Sequence, residues 1–240
     1  MSVSRGLQHF IKFGFHLRLG TCSLRALAGQ WIELIKTTEK LGVDWESLRH
    51  KDGGADEHRS FMPLDAQSDV QKKLLDQDLE VACEIQKLRA ETELALRTIF
   101  STIYDVEIDG LPTTAVKLLQ TNCGATEQRV HFDATELGCY AVLLYLKGPT
   151  SSTFVPTKSF TDMKGLWDQE EKFAGEVLDK QKQFFHSDTV REGDALFFRG
   201  DVAHFGPAHE RSDTRHVFYA LFSSDPKQND ETQFFPLDEK

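Results

Sequence analysis

The chain lacks any apolar run near the ~20 residues that a membrane-spanning helix needs, which rules out an integral helical membrane protein. Cysteine is scarce: Cys22, Cys83, Cys123 and Cys139 are the four, and none forms a paired CxxC spacing. Zinc-ribbon and disulfide-scaffold architectures therefore lack support, and a reducing compartment is the expectation. Basic charge is in deficit, with 28 Lys and Arg against 38 Asp and Glu, for a formal net charge of −10. That balance counts against a broad phosphate-binding surface and against a nucleic-acid substrate, while leaving room for a local basic patch. No internal repeat and no low-complexity tract is present. What remains is 240 residues with 40% apolar content, enough for one full-sized domain and its core.

Acidic residues are also missing before Glu33, where Arg5, Lys12, Arg18 and Arg25 stand. An acid-poor, Arg-containing beginning is the pattern of a mitochondrial transit peptide. Against that, Phe15 and Leu17 alternate with His16 and Arg18, which is a strand period over Phe13–Leu19. Ser23 is the expected N-cap of a helix through Leu24, Leu27, Trp31 and Leu34 that ends near Gly42. Folded structure is thus expected from about residue 13, with at most a short leader over residues 1–12. The cytoplasm is the expected location, with the mitochondrion as the alternative.

Residues 43–65 are polar and turn-rich around Gly53-Gly54 and read as a surface loop. One long helix is expected from Gln67 to Tyr104, with Leu75, Leu79, Ala82 and Ile85 as its buried stripe. After Gly110-Leu111-Pro112 the character changes to strands: Ala115–Leu119, Cys139–Leu146 and Thr153–Val155, with Gly148-Pro149 closing the second. Residues 157–190 are charged, with Leu166, Phe173 and Val177 at helical spacing, and read as an insertion or lid. Three short strands follow, Ala195–Phe198, Ala203–Pro207 and Arg215–Phe222, separated by turns at Gly200-Asp201 and Ser212-Asp213. Residues 1–112 are accordingly an N-terminal strand and helical support, 113–224 a β core, and 225–240 a tail, all within one α+β domain.

The spacing His-x-Asp occurs three times, and in a chain with nine histidines chance supplies about one. Context must therefore choose. His50 and Asp52 run into Gly53-Gly54 in a polar loop, and His186 and Asp188 leave little room for a sheet to fold back before the next histidine. His131 and Asp133 lie between two convincing strands, where period-2 alternation puts both on one face and Phe132 on the other. A third ligand is expected from a distant strand, and His204 fits, following Gly193-Asp194-Ala195-Leu196-Phe197-Phe198 and a tight turn. Two imidazoles and one carboxylate suit Fe(II) and leave three adjacent positions open. Arg215, eleven residues on, begins the last strand with a guanidinium able to hold a carboxylate bidentately.

Residues 114–222 resemble the double-stranded β-helix (jelly-roll) core of the Fe(II)/2-oxoglutarate-dependent dioxygenases, a little under half the chain. The resemblance is carried by His131-x-Asp133, then His204, then Arg215, with residues 193–198 similar to the strand that leads to the family's distal histidine. The gap from His204 to Arg215 is similar to the phytanoyl-CoA-hydroxylase branch, whereas Gln128–Asp133 and Thr153-Phe154 look like the prolyl-hydroxylase branch. The resemblance implies His131, Asp133 and His204 as iron ligands, Arg215 as the 2-oxoglutarate anchor, dioxygen as a further reactant and ascorbate as an auxiliary. Two departures stand out. Ser151-Ser152 replaces a common Gly-Gly, and Val217 stands where a hydroxyl residue often follows the arginine, so Tyr140 and Tyr145 are the candidates to help Arg215. The carboxylate of Asp133 speaks against a halide-binding variant.

Blander readings stand beside these. His131 and Asp133 also fit a surface hairpin pair, and His204 a satisfied core histidine. His209 is its rival, on an apparent exposed loop end, while His216 faces the other side of Arg215's strand. Arg215 also fits a surface ion pair, with Arg211 as a rival, although Val217, Tyr219 and Leu221 give it an apolar face where an unpaired charge is costly. Phe197, Phe198 and Phe205 read as core, and Trp167 and Phe173 as barrel packing before lid. The expected activity is hydroxylation or demethylation of a protein side chain, ahead of a small molecule, for which the prolyl-hydroxylase-like lead-in is the reason. A β-barrel binding protein with a degenerate metal site, or a metal-dependent hydrolase on the same ligands, are the alternatives. Oligomeric state is not readable.

Overall fold

The computed structural model describes residues 15–18, 20–49, 55–104, 108, 110–126, 128, 131–134, 138–147, 153–159, 190–225 and 233–234. The leader at 1–12, His50 and Asp52, Ser151-Ser152, and residues 160–189 of the expected insertion, with Leu166, Trp167, Phe173, Val177, His186 and Asp188, lie outside these residues. So does most of the tail. The chain begins with β1 (Phe15–Arg18), α1 (Cys22–Lys40), β2 (Glu46–Arg49), β3 (Ala55–Pro63), α2 (Asp69–Gln77) and α3 (Leu79–Tyr104). The strands of the second half are β4 (Thr113–Thr121), β5 (His131–Phe132), β6 (Cys139–Lys147), β7 (Thr153–Ser159), β8 (Ala195–Arg199), β9 (Val202–Phe205), β10 (Arg215–Ser223) and β11 (Gln233–Phe234).

Two sheets result. A seven-stranded sheet runs β1-β8-β6-β10-β4-β3-β2, and a four-stranded sheet runs β11-β5-β9-β7, with antiparallel pairing throughout. This is the expected α+β jelly-roll with helical support. Alternation along the large sheet sorts side chains to two cores. Val116, Leu118, Val142, Leu144, Phe197, Phe218 and Ala220 face the helices, where Leu24, Trp31 and Ile35 of α1 and Ile85, Leu88 and Phe100 of α3 cover them. Trp31 is fully buried against Phe218, with ring centroids 5.5 Å apart, and its indole N–H donates to Thr92 Oγ1 at 2.9 Å. The other face carries Ala141, Tyr145, Leu196, Phe198, Val217, Tyr219 and Leu221, and meets Ala134 and Val202 from the side of the small sheet.

The N-terminal half departs from the sequence expectations in three places. Thr21, not Ser23, caps α1, accepting the Leu24 N–H at 3.2 Å. The expected loop at 43–65 contains β2 and β3, which extend the large sheet from β4. As outer strands they need only one apolar side, so polar composition hides them. The expected single helix breaks at Asp78, whose backbone is extended (φ −153°, ψ 95°) and whose carboxylate accepts the Val81 N–H at 3.1 Å. The break resets the helical phase. Leu75 and Leu79 are therefore 50% and 63% exposed, while Val70 and Leu74 of α2 supply the buried contacts.

Candidate metal centre and anion anchor

β5 and β9 pair so that His131 lies directly opposite His204, bringing two imidazoles from distant parts of the chain together, with ring centroids 4.3 Å apart and planes tilted by 54°. Asp133 follows β5 and hangs from the turn after β8, with its N–H and that of Ala134 both donating to the Gly200 carbonyl at 3.1 Å. Its Oδ1 is 3.8 Å from His131 Nε2 and 3.6 Å from His204 Nε2. One ligand atom from each of the three residues falls within a common 4.8 Å, and the residues are only 7%, 5% and 6% exposed.

The donor set fits a divalent transition metal on the evidence of one further hydrogen bond. His204 Nδ1 lies 3.0 Å from the Val202 carbonyl, which only accepts, so Nδ1 carries the proton. That leaves Nε2 as the nitrogen turned toward Asp133, 3.6 Å from its Oδ1. Phe198 packs edge-on against the ring at 4.7 Å and holds its plane. Two imidazoles and a carboxylate, buried together, could hold a divalent transition metal and leave coordination positions open. Gly200 makes the arrangement sterically feasible, because a Cβ there would come within 2.7 Å of Ala134 Cβ and 3.2 Å of Cys139 Cβ.

Arg215 opens β10 on the inner face of the large sheet and is 8% exposed, as the alternation with Val217, Tyr219 and Leu221 requires. Its Nη2 donates to Thr121 Oγ1 at 3.1 Å, across the β10–β4 pairing. Burial lowers its pKa to about 10; Tyr145 acts to raise it and Arg59 lowers it further. The guanidinium is thus still charged at neutral pH. Thr121 places a hydroxyl beside the guanidinium, a position for which the sequence offers Tyr140 and Tyr145. It lies on β4, whereas the two tyrosines that the sequence offers lie on β6, the other neighbour of β10.

The two tyrosines part company. Tyr145 is buried in the inner cluster beside Val217, its register partner. Tyr140, an odd number of residues earlier, faces the helices and packs on Phe100 at 5.3 Å, so it does not join Arg215. His216 turns away from the interior toward Trp45, as expected, at 5.9 Å between ring centroids. His209 is not exposed. It is 5% accessible, bridges to Ala125 and directs Nε2 to the Asp213 carbonyl at 2.5 Å, a structural histidine in the loop before β10. Arg211 is exposed and pairs with Asp213 at 3.0 Å. Phe197 and Phe198 are core. Asp194 of the 193–198 segment has a local duty, its carboxylate accepting the Gly20 N–H at 2.6 Å and the Arg191 N–H at 2.8 Å. The four cysteines form no disulfide with one another, and Cys139 Sγ lies 3.1 Å from Ser223 Oγ. No described helix is long and apolar enough to cross a membrane.

No protein-family model matches the chain, and no curated protein matches it. Solved structures do. The non-heme alpha-ketoglutarate-dependent epimerase SnoN from nogalamycin biosynthesis superposes with a TM-score of 0.59 at 14% identity, over 97% of this chain and 82% of that one. HygX from Streptomyces hygroscopicus, with nickel and 2-oxoglutarate bound, gives 0.56 at 14% identity, over 92% and 87%. A Pseudomonas putida prolyl-4-hydroxylase gives 0.52 at 13% identity, over 91% and 97%. The chain therefore has the double-stranded β-helix fold found in iron- and 2-oxoglutarate-dependent oxygenases, the fold its sequence resembles.

Proposed function

We propose that the protein is an Fe(II)- and 2-oxoglutarate-dependent dioxygenase that hydroxylates, or demethylates, an organic substrate. The observation that carries this reading is the convergence of His131, Asp133 and His204 in one buried cluster, on a fold whose inner sheet face also bears Arg215. His131, Asp133 and His204 would hold the iron. Arg215, with Thr121 and Tyr145 beside it, would grip the distal carboxylate of 2-oxoglutarate by charge-assisted hydrogen bonds. When bound, iron and 2-oxoglutarate together supply the oxidising power of dioxygen, with succinate and CO2 as by-products and a C–H bond converted to C–OH. On a carbon attached to nitrogen, the same hydroxylation ends in demethylation.

The protein's own contributions are positional. The hydrogen bond from His204 to Val202 fixes the tautomer, the Gly200 carbonyl holds the Asp133 backbone, and the apolar inner face of β6 and β10 keeps bulk water from the reacting groups. For the substrate, the lead-in Gln128–Asp133 supports a protein side chain. HygX, which has been solved with hygromycin B bound, supports a small molecule as the other arm of a screen. Ascorbate draws no support from the structure or the comparisons and forms no part of the proposal.

The test is conversion of 2-oxoglutarate to succinate by the purified protein, with and without Fe(II) and O2. Turnover that needs both, and that falls to background in His131→Ala and Asp133→Ala, is the expected outcome. Equal turnover in wild type and both variants would overturn the reading. Zinc-dependent hydrolysis without oxygen uptake would replace it with the hydrolase, and absence of any metal binding with the non-catalytic barrel.

A further inference from the structure

Among the described residues, Arg59 is the most deeply buried arginine, 3% exposed, and the reading above gives it no role. It lies on β3 in register with Thr121, which in turn pairs with Arg215 on β10. The helix-facing Met62, three residues along β3, places Arg59 on the opposite, inner face. Its Nη2 donates to the Thr126 carbonyl and, at 3.4 Å, to the Pro207 carbonyl. Those two carbonyls belong to different loops. Thr126 precedes His131 and Asp133 by a few residues, and Pro207 follows His204 by three.

The same two loops are zipped together by their own backbones. Gly124 N–H donates to the His209 carbonyl and His209 N–H to the Ala125 carbonyl, both at 2.8 Å. Gln128 N–H donates to the Gly206 carbonyl at 2.9 Å, and Gly206 N–H returns a bond to Gln128 Oε1 at 2.8 Å. This zipper continues the β5–β9 pairing that sets His131 opposite His204. β5 is only two residues long, so its own ladder is a weak determinant of register.

We propose that Arg59 is a positioning residue that clamps the loops flanking His131–Asp133 and His204, and so holds the metal ligands in register. The proposal rests on the reading of those three residues as a metal site. A planar guanidinium suits the task because one nitrogen can donate to two carbonyls while the charge remains fixed in the interior. A lysine reaches the same region with a point charge and no fork. The clamp also ties the metal ligands to the anion anchor, because β3, β4 and β10 carry Arg59, Thr121 and Arg215 side by side.

The test uses Co(II) alone, whose visible spectrum reports ligand geometry without 2-oxoglutarate or turnover. Arg59→Met should bind Co(II) about 10-fold or more weakly, the range seen when outer-shell support is lost, with altered ligand-field bands. Arg59→Lys should recover part of the affinity. Met62→Ala, on the other face of the same strand, is the control for stability alone and should lower the melting temperature while leaving the Co(II) spectrum and affinity unchanged. If Arg59→Met does not fold, Arg59→Lys is compared with Met62→Ala in the same way. An Arg59 variant with a reduced melting temperature but wild-type Co(II) affinity and spectrum would reduce Arg59 to a structural residue and overturn the proposal. Wild-type protein that binds no Co(II) would instead remove the metal-site reading on which it rests.

Discussion

Arg215 keeps its charge in spite of burial, because its pKa falls only to about 10, and a buried charge is costly unless an anion or strong acceptors meet it. Arg215→Met should therefore weaken 2-oxoglutarate binding roughly 10- to 100-fold, the worth of a charge-assisted, bidentate contact, while leaving Fe(II) binding unchanged. Titrations of each ligand separately distinguish the two effects. His216, next in the chain, behaves oppositely. It packs against Trp45, both its ring nitrogens lack hydrogen-bond partners among the described residues, and burial, followed by the nearby Lys147 charge, lowers its pKa to about 4. Since the unfolded imidazole titrates near its ordinary value of 6.5, the unfolded state binds the extra proton first as pH falls. The stability that His216 contributes is thus complete above about pH 6.5 and is lost as pH falls toward 4, by up to roughly 3 kcal/mol. Urea unfolding at pH 7 and pH 5 should show a smaller pH-dependent loss in His216→Leu than in wild type. An equal loss in both would show that His216 titrates normally in the fold.

At the scale of elements, the turn between β8 and β9 matters more than its length implies. Gly200 receives two backbone hydrogen bonds from Asp133 and Ala134, donates one to the Cys139 carbonyl at 2.9 Å, and leaves no space for a side chain. Gly200→Ala should push the Asp133 segment away and reduce Fe(II) affinity about 10-fold or more, as read by metal titration; unchanged affinity would mean that the neighbouring backbone gives way at no cost. The sequence did not reveal this, because a glycine in a turn reads as turn chemistry alone. Strands packed on both faces were legible: β4, β6, β8 and β10 all lie where alternation or apolar runs placed them. β2 and β3 were not, because outer strands need little apolar surface and their polarity imitates a loop. The helix break at Asp78 was missed because Leu75 and Leu79 continue an apolar spacing that the cap interrupts. In the site, His131, Asp133, His204 and Arg215 could be read from spacing and strand context. Thr121 and Arg59 could not, since their relation to Arg215 exists only across strands.

For the molecule as a whole, the large sheet separates two tasks. Its outer face packs against α1 and α3 around the fully buried Trp31, and its inner face carries Arg215, Tyr145 and the apolar lining opposite the small sheet that bears the histidines. The helices stabilise the sheet from one side, and the candidate site occupies the other. The account stands on a single coupling across that interior: iron held by residues on and beside the small sheet, and 2-oxoglutarate held between that iron and an arginine on the large sheet. Anaerobic titration of the metal-free protein with Fe(II) and 2-oxoglutarate reads this coupling directly, through the visible charge-transfer absorption of the chelate. The account predicts a band that requires both additions, is absent in His131→Ala, and needs far more 2-oxoglutarate to appear in Arg215→Met. A folded wild-type protein that develops no band, or a band indifferent to both substitutions, would contradict it.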